Sequence, residues 1–242
     1  MGLFSRKKRL EEVGFFEGLT DMHSHILPGV DDGIKEMEDS LTVLKKYEEW
    51  GVTTVWCTPH VYEDLPNATS MLQDRFEQLK EAYKGGIKLM LAAEYMIDHE
   101  FLSRLEKDDL LPIGDDRDHL LVETSFFNGP ENLGMLFEQI LSKGFYPILA
   151  HPERYIYMGK DDYKKWKEKK VKLQLNYSAL AGLYGGEAQD KAEWLLENEM
   201  YDACGSDIHK VRFVTDEKMA FNQLTIKSKL GEKLSRLKQP NC

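Results

Sequence analysis

The stretch Asp21-Met22-His23-Ser24-His25 decides the fold class, because it closes a short apolar run that begins at Leu19. Such a run predicts a buried strand, and alternate residues of a strand point to the same face. His23 and His25 would therefore present two imidazoles side by side at the end of this strand. The chain continues Leu27-Pro28-Gly29-Val30-Asp31-Asp32-Gly33, which places two carboxylates just beyond the same strand end.

Short apolar runs of this kind alternate along the chain with longer stretches whose apolar residues recur at helical spacing. The runs lie at residues 19–22, 52–57, 87–92, 120–122, 147–150, 171–175 and 201–204. The helical stretches lie at residues 37–50, 71–83, 100–107, 133–143, 161–169, 187–199 and 216–237. Strands that alternate with helices pair in parallel through right-handed crossovers. An open doubly wound sheet and a closed α/β barrel both satisfy this order.

The size and composition of the chain favour one α/β domain. An α/β barrel commonly takes ~250 residues, and this chain has 242. Hydrophobic residues make up 42% of it, which excludes a disordered chain that could not bury enough apolar surface. Because no internal repeat or long linker divides the sequence, we predict a single domain.

Charge and cysteine content bear on partners and location. The net charge of −10 repels phosphate backbones, so we expect no nucleic-acid partner. The three cysteines (Cys57, Cys204 and Cys242) are far apart and odd in number, which indicates no disulfide framework. No apolar run approaches the ~18 residues that a membrane span needs. We therefore predict a cytoplasmic protein.

Ionisable residues stand at the carboxyl ends of six of the seven predicted strands. In parallel α/β folds this is the edge where sites are built, and a closed barrel brings all the strand ends around one centre. The candidate ligands are His23, His25, Asp32, His60, Glu94, Glu123, His151, Asp207 and His209. Each histidine alone could be an ordinary hydrogen-bonding residue, but their convergence on one edge predicts a multinuclear metal site. Imidazole and carboxylate ligands without thiolate suit Mn²⁺, Zn²⁺ or Fe.

These motifs resemble the PHP (polymerase and histidinol phosphatase) family of metal-dependent phosphoesterases. The resemblance is carried by residues 21–33, by Ala150-His151-Pro152-Glu153-Arg154-Tyr155 and by Ser206-Asp207-Ile208-His209. It extends to the branch of protein-tyrosine phosphatases that accompany bacterial capsule and exopolysaccharide gene clusters. It implies a distorted (β/α)₇ barrel in a single domain.

The resemblance also implies a role for each site residue. His23, His25, Glu94 and Asp207 would hold one metal ion, Asp32, His60 and His209 a second, and Glu123 and His151 a third that Glu94 bridges to the first. The ions would be divalent, up to three per chain, with Mn²⁺ expected first and Fe, Zn²⁺ or Mg²⁺ as alternatives. Arg154 would act in catalysis and bind the phosphate, and Arg212 is a second candidate phosphate contact.

The activity that follows from the resemblance is hydrolysis of phosphotyrosine, with a bacterial tyrosine kinase that controls capsule synthesis as the expected substrate. A cysteine-dependent mechanism is excluded, because the position six residues after Cys57 is Glu63 and that after Cys204 is Lys210, where an arginine would be needed. Three alternatives stay open: a small-molecule phosphatase such as histidinol phosphatase, a metal-dependent amidohydrolase, and a metal-stabilised scaffold.

Residues 1–18 are predicted to form a basic N-terminal extension, and residues 19–242 the phosphoesterase barrel. Arg6, Lys7, Lys8 and Arg9 bring four positive charges together before the first acidic residue. A charge run of this kind is typical of a solvated tail. Weak contact with an anionic membrane surface or an acidic partner is the alternative.

Overall fold

The computed structural model describes residues 6–239 and contains every predicted strand. The strands are β1 (Lys7–Arg9), β2 (Thr20–Ser24), β3 (Thr54–Cys57), β4 (His60–Val61), β5 (Lys88–Leu91), β6 (Glu94–Met96), β7 (His119–Glu123), β8 (Tyr146–Ala150), β9 (Lys172–Asn176), β10 (Ala203–Gly205) and β11 (Thr225–Lys227). The α-helices are α1 (Met37–Trp50), α2 (Thr69–Ala82), α3 (His99–Lys107), α4 (Leu133–Ser142), α5 (Lys160–Glu168), α6 (Gly186–Glu197), α7 (Arg212–Thr215) and α8 (Gly231–Ser235). The first six helices match the predicted ones to within two residues at each end.

The parallel strands curl into a barrel in chain order. One sheet has the order β10-β9-β8-β7-β6-β4 and another the order β2-β3-β5. β4 continues the line of β3, and β6 continues that of β5, so the barrel has seven strand positions. After β10 the Asp207 N–H donates to the carbonyl of His23 (2.8 Å), and the His25 N–H donates to the carbonyl of Ile208 (3.1 Å). These bonds join the last strand to the first, and the predicted distorted (β/α)₇ barrel is confirmed.

Two strands are interrupted just below the edge that carries the candidate ligands. Pro59 separates β3 from β4, and a proline has no N–H to donate to a β-ladder. Its carbonyl still accepts a hydrogen bond from the Glu94 N–H (3.0 Å), at the point where β6 begins. His60 and Glu94 then pair as register partners. The interruption thus sets two ligand-bearing residues opposite each other.

The barrel interior is filled by a small apolar cluster, separate from the larger core between the sheet and the helices. Its members are Met22, Trp56, Ala92, Ile113, Leu121, Ile148, Ala150 and Ala203, all buried. Small barrels are packed in this way and are not pores. Glu123 lies two residues beyond Leu121 and so shares its inward face, which places the carboxylate directly above this apolar floor.

The prediction of one last helix over residues 216–237 is wrong. The segment contains β11 and, after it, the short helix α8. β11 pairs in antiparallel register with β1, and its central residue Ile226 is buried. Helical periodicity is a local signal, whereas this pairing joins residues more than 200 positions apart.

Much of the predicted N-terminal extension packs on the barrel. Leu10, Phe15 and Phe16 are buried in the main core, and β1 lies beside β11. Of the basic run, Arg9 is exposed and pairs with Glu12 at 3.3 Å. Contact with a membrane surface stays a prediction, and residues 1–5 and Cys242 lie outside the described residues. No helix within residues 6–239 has the length and apolar character needed to cross a bilayer.

Replacing Phe15 with alanine should destabilise the protein by ~3–5 kcal/mol, because it empties a fully buried site. The ring of Phe15 contacts the ring of Tyr177 edge-on at 5.2 Å, so the substitution also removes an aromatic pair. The matched control is Phe127→Ala, because the Phe127 side chain is 68% exposed and should cost ~0.5 kcal/mol or less. Urea unfolding of the two variants measures this, and equal losses would contradict the packing of the N-terminal segment.

Candidate metal centre

The buried carboxylate of Glu94 lies at the centre of the nine candidate ligands. Its Oε2 atom is 3.1 Å from His23 Nε2, 3.3 Å from His25 Nε2 and 3.1 Å from His60 Nδ1. Its Oε1 atom is 3.0 Å from His151 Nε2. Four imidazoles, two from the end of β2 and one each from β4 and the end of β8, therefore surround one carboxylate. The structure brings together side chains that are up to 128 residues apart in the sequence, between His23 and His151.

Three overlapping groups of side chains have ligand atoms close enough to hold a metal ion. Within each group the ligand atoms lie within 4.8 Å of one another. The groups are His23, His25, Glu94 and Asp207; His25, Asp32, His60 and His209; and His60, Glu94 and Glu123. His151 is in none of the three groups, although its Nε2 atom is 3.7 Å from Glu123 Oε2.

The fold fixes the first two histidines through close backbone packing. The strand pairing of β2 shifts register between Asp21 and Ser24. There the Asp21 carboxylate accepts hydrogen bonds from the N–H groups of His23 (3.3 Å) and Ser206 (2.8 Å). A side chain on Gly205 would lie 2.3 Å from His23 Cβ, so β10 can approach β2 only with glycine at that position.

Strained backbone occurs at two other ligand positions. His151 has φ 33° and Asp207 has φ 54°, values that non-glycine residues seldom adopt. His151 directly follows the end of β8, and Asp207 lies two residues after the end of β10. Such strain persists only where the surrounding structure imposes it, and it concentrates at functional sites.

Two side chains that the sequence analysis did not assign orient the histidines. His23 Nδ1 is 2.7 Å from Gln174 Oε1, and the Gln174 amide nitrogen in turn donates to the Met22 carbonyl (3.2 Å). His25 Nδ1 is 2.7 Å from Asp31 Oδ2. Because both acceptors place the ring proton on Nδ1, each Nε2 lone pair is directed at Glu94 and is free for coordination. A glutamine inside the apolar run 171–175 was the available signal for this role.

The cluster is electrostatically coupled. Burial and the neighbouring His25 lower the pKa of His60, but the carboxylates of Glu94 and Glu123 outweigh them and raise it to about 10. Burial raises the pKa of Glu94, but His23, His60 and the hydrogen bond from His151 together hold it well below its ordinary value. The buried carboxylates thus require positive charge nearby to stay ionised.

The donor atoms fit divalent metal ions. Among residues 6–239, Glu94 Oε2 and His60 Nδ1, which lie 3.1 Å apart, are buried and make no hydrogen bond of suitable geometry. Buried polar atoms are almost always satisfied, and leaving two of them unsatisfied in one place is costly. A cation bound to these nitrogen and oxygen atoms would satisfy them, and their chemistry is that of sites for Mn²⁺, Fe or Zn²⁺.

Arg154 lies against the cluster in a fixed orientation. Its Nη1 donates to Asp207 Oδ2 at 2.7 Å, and its guanidinium carbon lies 4.2 Å from the ring centroid of Phe126 and 4.4 Å from that of Tyr184. The Asn176 amide nitrogen donates to Asp207 Oδ2 (3.0 Å) and to the Tyr184 hydroxyl (2.8 Å). A guanidinium held between two rings is suited to bind an anion bidentately.

Arg212 is placed differently from Arg154. It is exposed on α7, its guanidinium lies over the ring of Phe213 at 5.4 Å, and among residues 6–239 it makes no hydrogen bond or ion pair to the nine ligands. Lys210 does contact the ligand-bearing loop, because its Nζ donates to the Asp32 carbonyl (2.9 Å). Lys210 is not among the candidate site residues that the sequence indicated.

The two described cysteines do not have the exposed, ionised thiol that a nucleophile needs. Cys57 and Cys204 are free and fully buried, and burial raises the pKa of both thiols. A thiol that stays protonated is a poor nucleophile.

His119 lies outside the candidate metal centre. It stands at the start of β7, at the opposite end of this strand from Glu123, and its Nδ1 is 2.6 Å from Asp118 Oδ1.

Comparison with known proteins places the chain in a family. A model of the family described as "Capsular polysaccharide synthesis, CpsB/CapC" matches residues 19–238, which include all nine candidate ligands. The chain belongs to this family. It is 30% identical over 202 residues to "Tyrosine-protein phosphatase YwqE" of Bacillus subtilis (strain 168), which covers 80% of this chain and 78% of the relative. It is 27% identical over 210 residues to "Tyrosine-protein phosphatase CpsB" of Streptococcus pneumoniae, covering 80% and 84%.

One solved structure has the same fold as this chain over nearly the whole length of both proteins. It comes from a study of YwqE from Bacillus subtilis and CpsB from Streptococcus pneumoniae, described as unique metal-dependent tyrosine phosphatases. The match has a TM-score of 0.71 and 25% sequence identity, and it covers 92% of this chain and 96% of that chain. The capsule-associated branch of the PHP family, which the sequence motifs indicated, is thereby confirmed.

Substituting Glu94 should remove more bound metal than substituting Asp32, because Glu94 reaches two of the three ligand groups and Asp32 reaches one. Glu94→Gln and Asp32→Asn keep the side-chain volume and remove one charge each, so they form a matched pair. Elemental analysis of the purified proteins after dialysis measures the bound metal. Equal metal loss in the two variants would contradict the central position of Glu94.

Proposed function

We propose that this chain is a metal-dependent phosphoric monoester hydrolase that removes phosphate from phosphotyrosine in proteins. The observation that carries the proposal is the guanidinium of Arg154, held 2.7 Å from Asp207 at the edge of the histidine and carboxylate cluster. A cation fixed beside metal-binding side chains is the arrangement that phosphoryl transfer needs. The relatives named as tyrosine phosphatases support the choice of substrate class.

The charge of the proposed site suits a phosphate dianion. With neutral imidazoles, the four carboxylates among the nine ligands offset four of the six positive charges that three divalent ions would bring. Arg154 adds one more positive charge. The site would be positive inside a protein of net charge −10, which directs a phosphate to this place on the surface.

For the three ions we propose the ligand sets that the family resemblance implied. They are His23, His25, Glu94 and Asp207 for the first; Asp32, His60 and His209 for the second; and Glu123 and His151, with Glu94 bridging, for the third. The His60 ring supports this assignment, because its Nε2 is 3.6 Å from Asp32 Oδ1 while its Nδ1 faces Glu94. We propose Mn²⁺ as the bound metal, with Fe, Zn²⁺ or Mg²⁺ as alternatives.

Divalent ions at this site would supply Lewis-acid activation of water and neutralise phosphate charge. The chain's own contribution is orientation. Asp207 holds one N–H of Arg154, and the remaining N–H groups can donate to non-bridging phosphate oxygens as charge spreads in the transition state. A tyrosine leaving group needs little protonation because the pKa of phenol is about 10.

The proposed biological substrate is a bacterial tyrosine kinase that controls capsule or exopolysaccharide synthesis, in the cytoplasm. The description of the family as capsular polysaccharide synthesis supports this context. The alternatives are a small-molecule phosphatase such as histidinol phosphatase and a metal-dependent amidohydrolase. Amidohydrolases usually bridge their metals with a lysine, whereas the central residue here is Glu94.

Rates of phosphate release from a phosphotyrosine peptide, p-nitrophenyl phosphate and histidinol phosphate test the proposal. We expect hydrolysis of the first two substrates, loss of activity with EDTA and its return with Mn²⁺. Thiol alkylation should leave activity largely intact, since both described cysteines are buried. Full activity in thoroughly demetallated protein, or a higher kcat/KM for histidinol phosphate, would refute it.

Arg154→Ala should keep its full metal content but lose ~10²–10³-fold in kcat/KM, the size typical of removing one preorganised charge-stabilising donor. Arg154→Lys should recover only part of this loss, because lysine lacks the planar fork. Arg212→Ala, measured in parallel, tests the second candidate phosphate contact. A near-normal kcat/KM in Arg154→Ala would show that Arg154 is purely structural.

A further inference from the structure

An apolar groove lies beside Arg154, and its lining includes none of the nine candidate metal ligands. Its volume is about 260 Å³, and its apolar walls are Phe126, Phe127, Ile156 and Tyr184. Phe126 and Tyr184 are also the two rings between which the Arg154 guanidinium lies. The groove therefore adjoins Arg154, the proposed phosphate contact, and shares two side chains with its surroundings.

Exposed hydrophobic side chains are concentrated at this groove. Of the eight large hydrophobic residues exposed within residues 6–239, three line it: Phe127 (68%), Ile156 (56%) and Tyr184 (37%). Single exposed apolar residues need no explanation, but a contiguous group beside a site marks an interaction surface.

The polar groups of the groove are already paired within the protein. Lys191 Nζ donates to the Tyr155 carbonyl (2.8 Å) and pairs with Glu187 (2.9 Å). The Glu153 carboxylate accepts hydrogen bonds from the Asn176 N–H (2.9 Å) and the Tyr201 hydroxyl (2.8 Å). What the groove offers to a ligand is thus its apolar surface.

A backbone hydrogen bond holds two walls of the groove together. The walls come from the loops after β7 and β8 and from the segment that leads from β9 into α6. The Ile156 N–H donates to the Phe126 carbonyl (3.0 Å) and joins the first two of these loops. A phosphate group that contacts Arg154 brings the polypeptide that carries it to the part of the surface where the groove lies. An extended chain rises ~3.3 Å per residue, so side chains within about three residues of the phosphotyrosine come within reach of the groove.

We propose that this groove binds one apolar side chain, aliphatic or aromatic, that lies within about three residues of the phosphotyrosine in the protein substrate. A volume of about 260 Å³ suits a single side chain, since pockets that hold whole small-molecule ligands measure ~300–1,000 Å³. The inference rests on the proposed phosphotyrosine phosphatase activity and adds a determinant of substrate choice to it.

The test uses phosphotyrosine peptides built of glycine and serine, with one leucine moved from three positions before to three positions after the phosphotyrosine. Leucine at one or two of these positions should raise kcat/KM about tenfold, mainly through KM, because burying part of its side chain is worth ~1.4 kcal/mol. The same peptides are assayed with Ile156→Glu and Phe127→Ser. Both variants should lose the leucine effect and keep wild-type turnover of p-nitrophenyl phosphate.

The matched control is Met71→Glu, which places the same charge at another exposed apolar residue, on α2 and outside the groove. It should behave as wild type with every peptide. If leucine has no effect at any position, or if Ile156→Glu and Met71→Glu behave alike, the groove proposal is refuted while the phosphatase activity stands. A change of oligomeric state in Ile156→Glu would also refute it, in favour of a second copy of the chain as occupant. If no phosphotyrosine peptide is hydrolysed, the proposed function itself fails.

Discussion

The buried carboxylate of Glu94 is the constraint on which the rest of the site depends. An ionised carboxylate without partners would be far too costly in a fully buried position. Here four imidazoles lie within 3.3 Å of its two oxygens, and they come from three of the seven strand positions of the barrel, β2, β4 and β8. The closure of the barrel is therefore a condition for burying Glu94. The charge of Glu94 in turn draws together the side chains that can bind metal ions.

The irregularities of the barrel serve this arrangement. An ideal strand would carry its alternation of side chains unchanged to the edge of the sheet, where only every second residue faces inward. The break at Pro59, the register shift in β2 and the left-handed backbone at His151 and Asp207 change that alternation at the level where the ligands are needed. Below them the barrel interior is regular and apolar, which keeps the site open on one side only.

Arg154 links the cluster to the outer surface. On one side it is bound to Asp207, and its two faces are covered by rings whose outer edges form the apolar groove. The proposed phosphate contact and the proposed peptide contact therefore share two side chains, Phe126 and Tyr184. A phosphate group and the polypeptide that carries it could be recognised by one continuous surface.

The sequence by itself determined the seven strands, the first six helices and the edge at which His23, Glu94 and Asp207 meet. These follow from local periodicity and from the rule that parallel strands end together. Only the tertiary structure decided that Gln174 orients His23, and that Arg154 donates to Asp207 and lies between the rings of Phe126 and Tyr184. It alone showed that residues 216–237 form no single helix, because β11 pairs with β1. Each of these features is a contact between residues distant in the chain, and local sequence patterns carry no information about such distances.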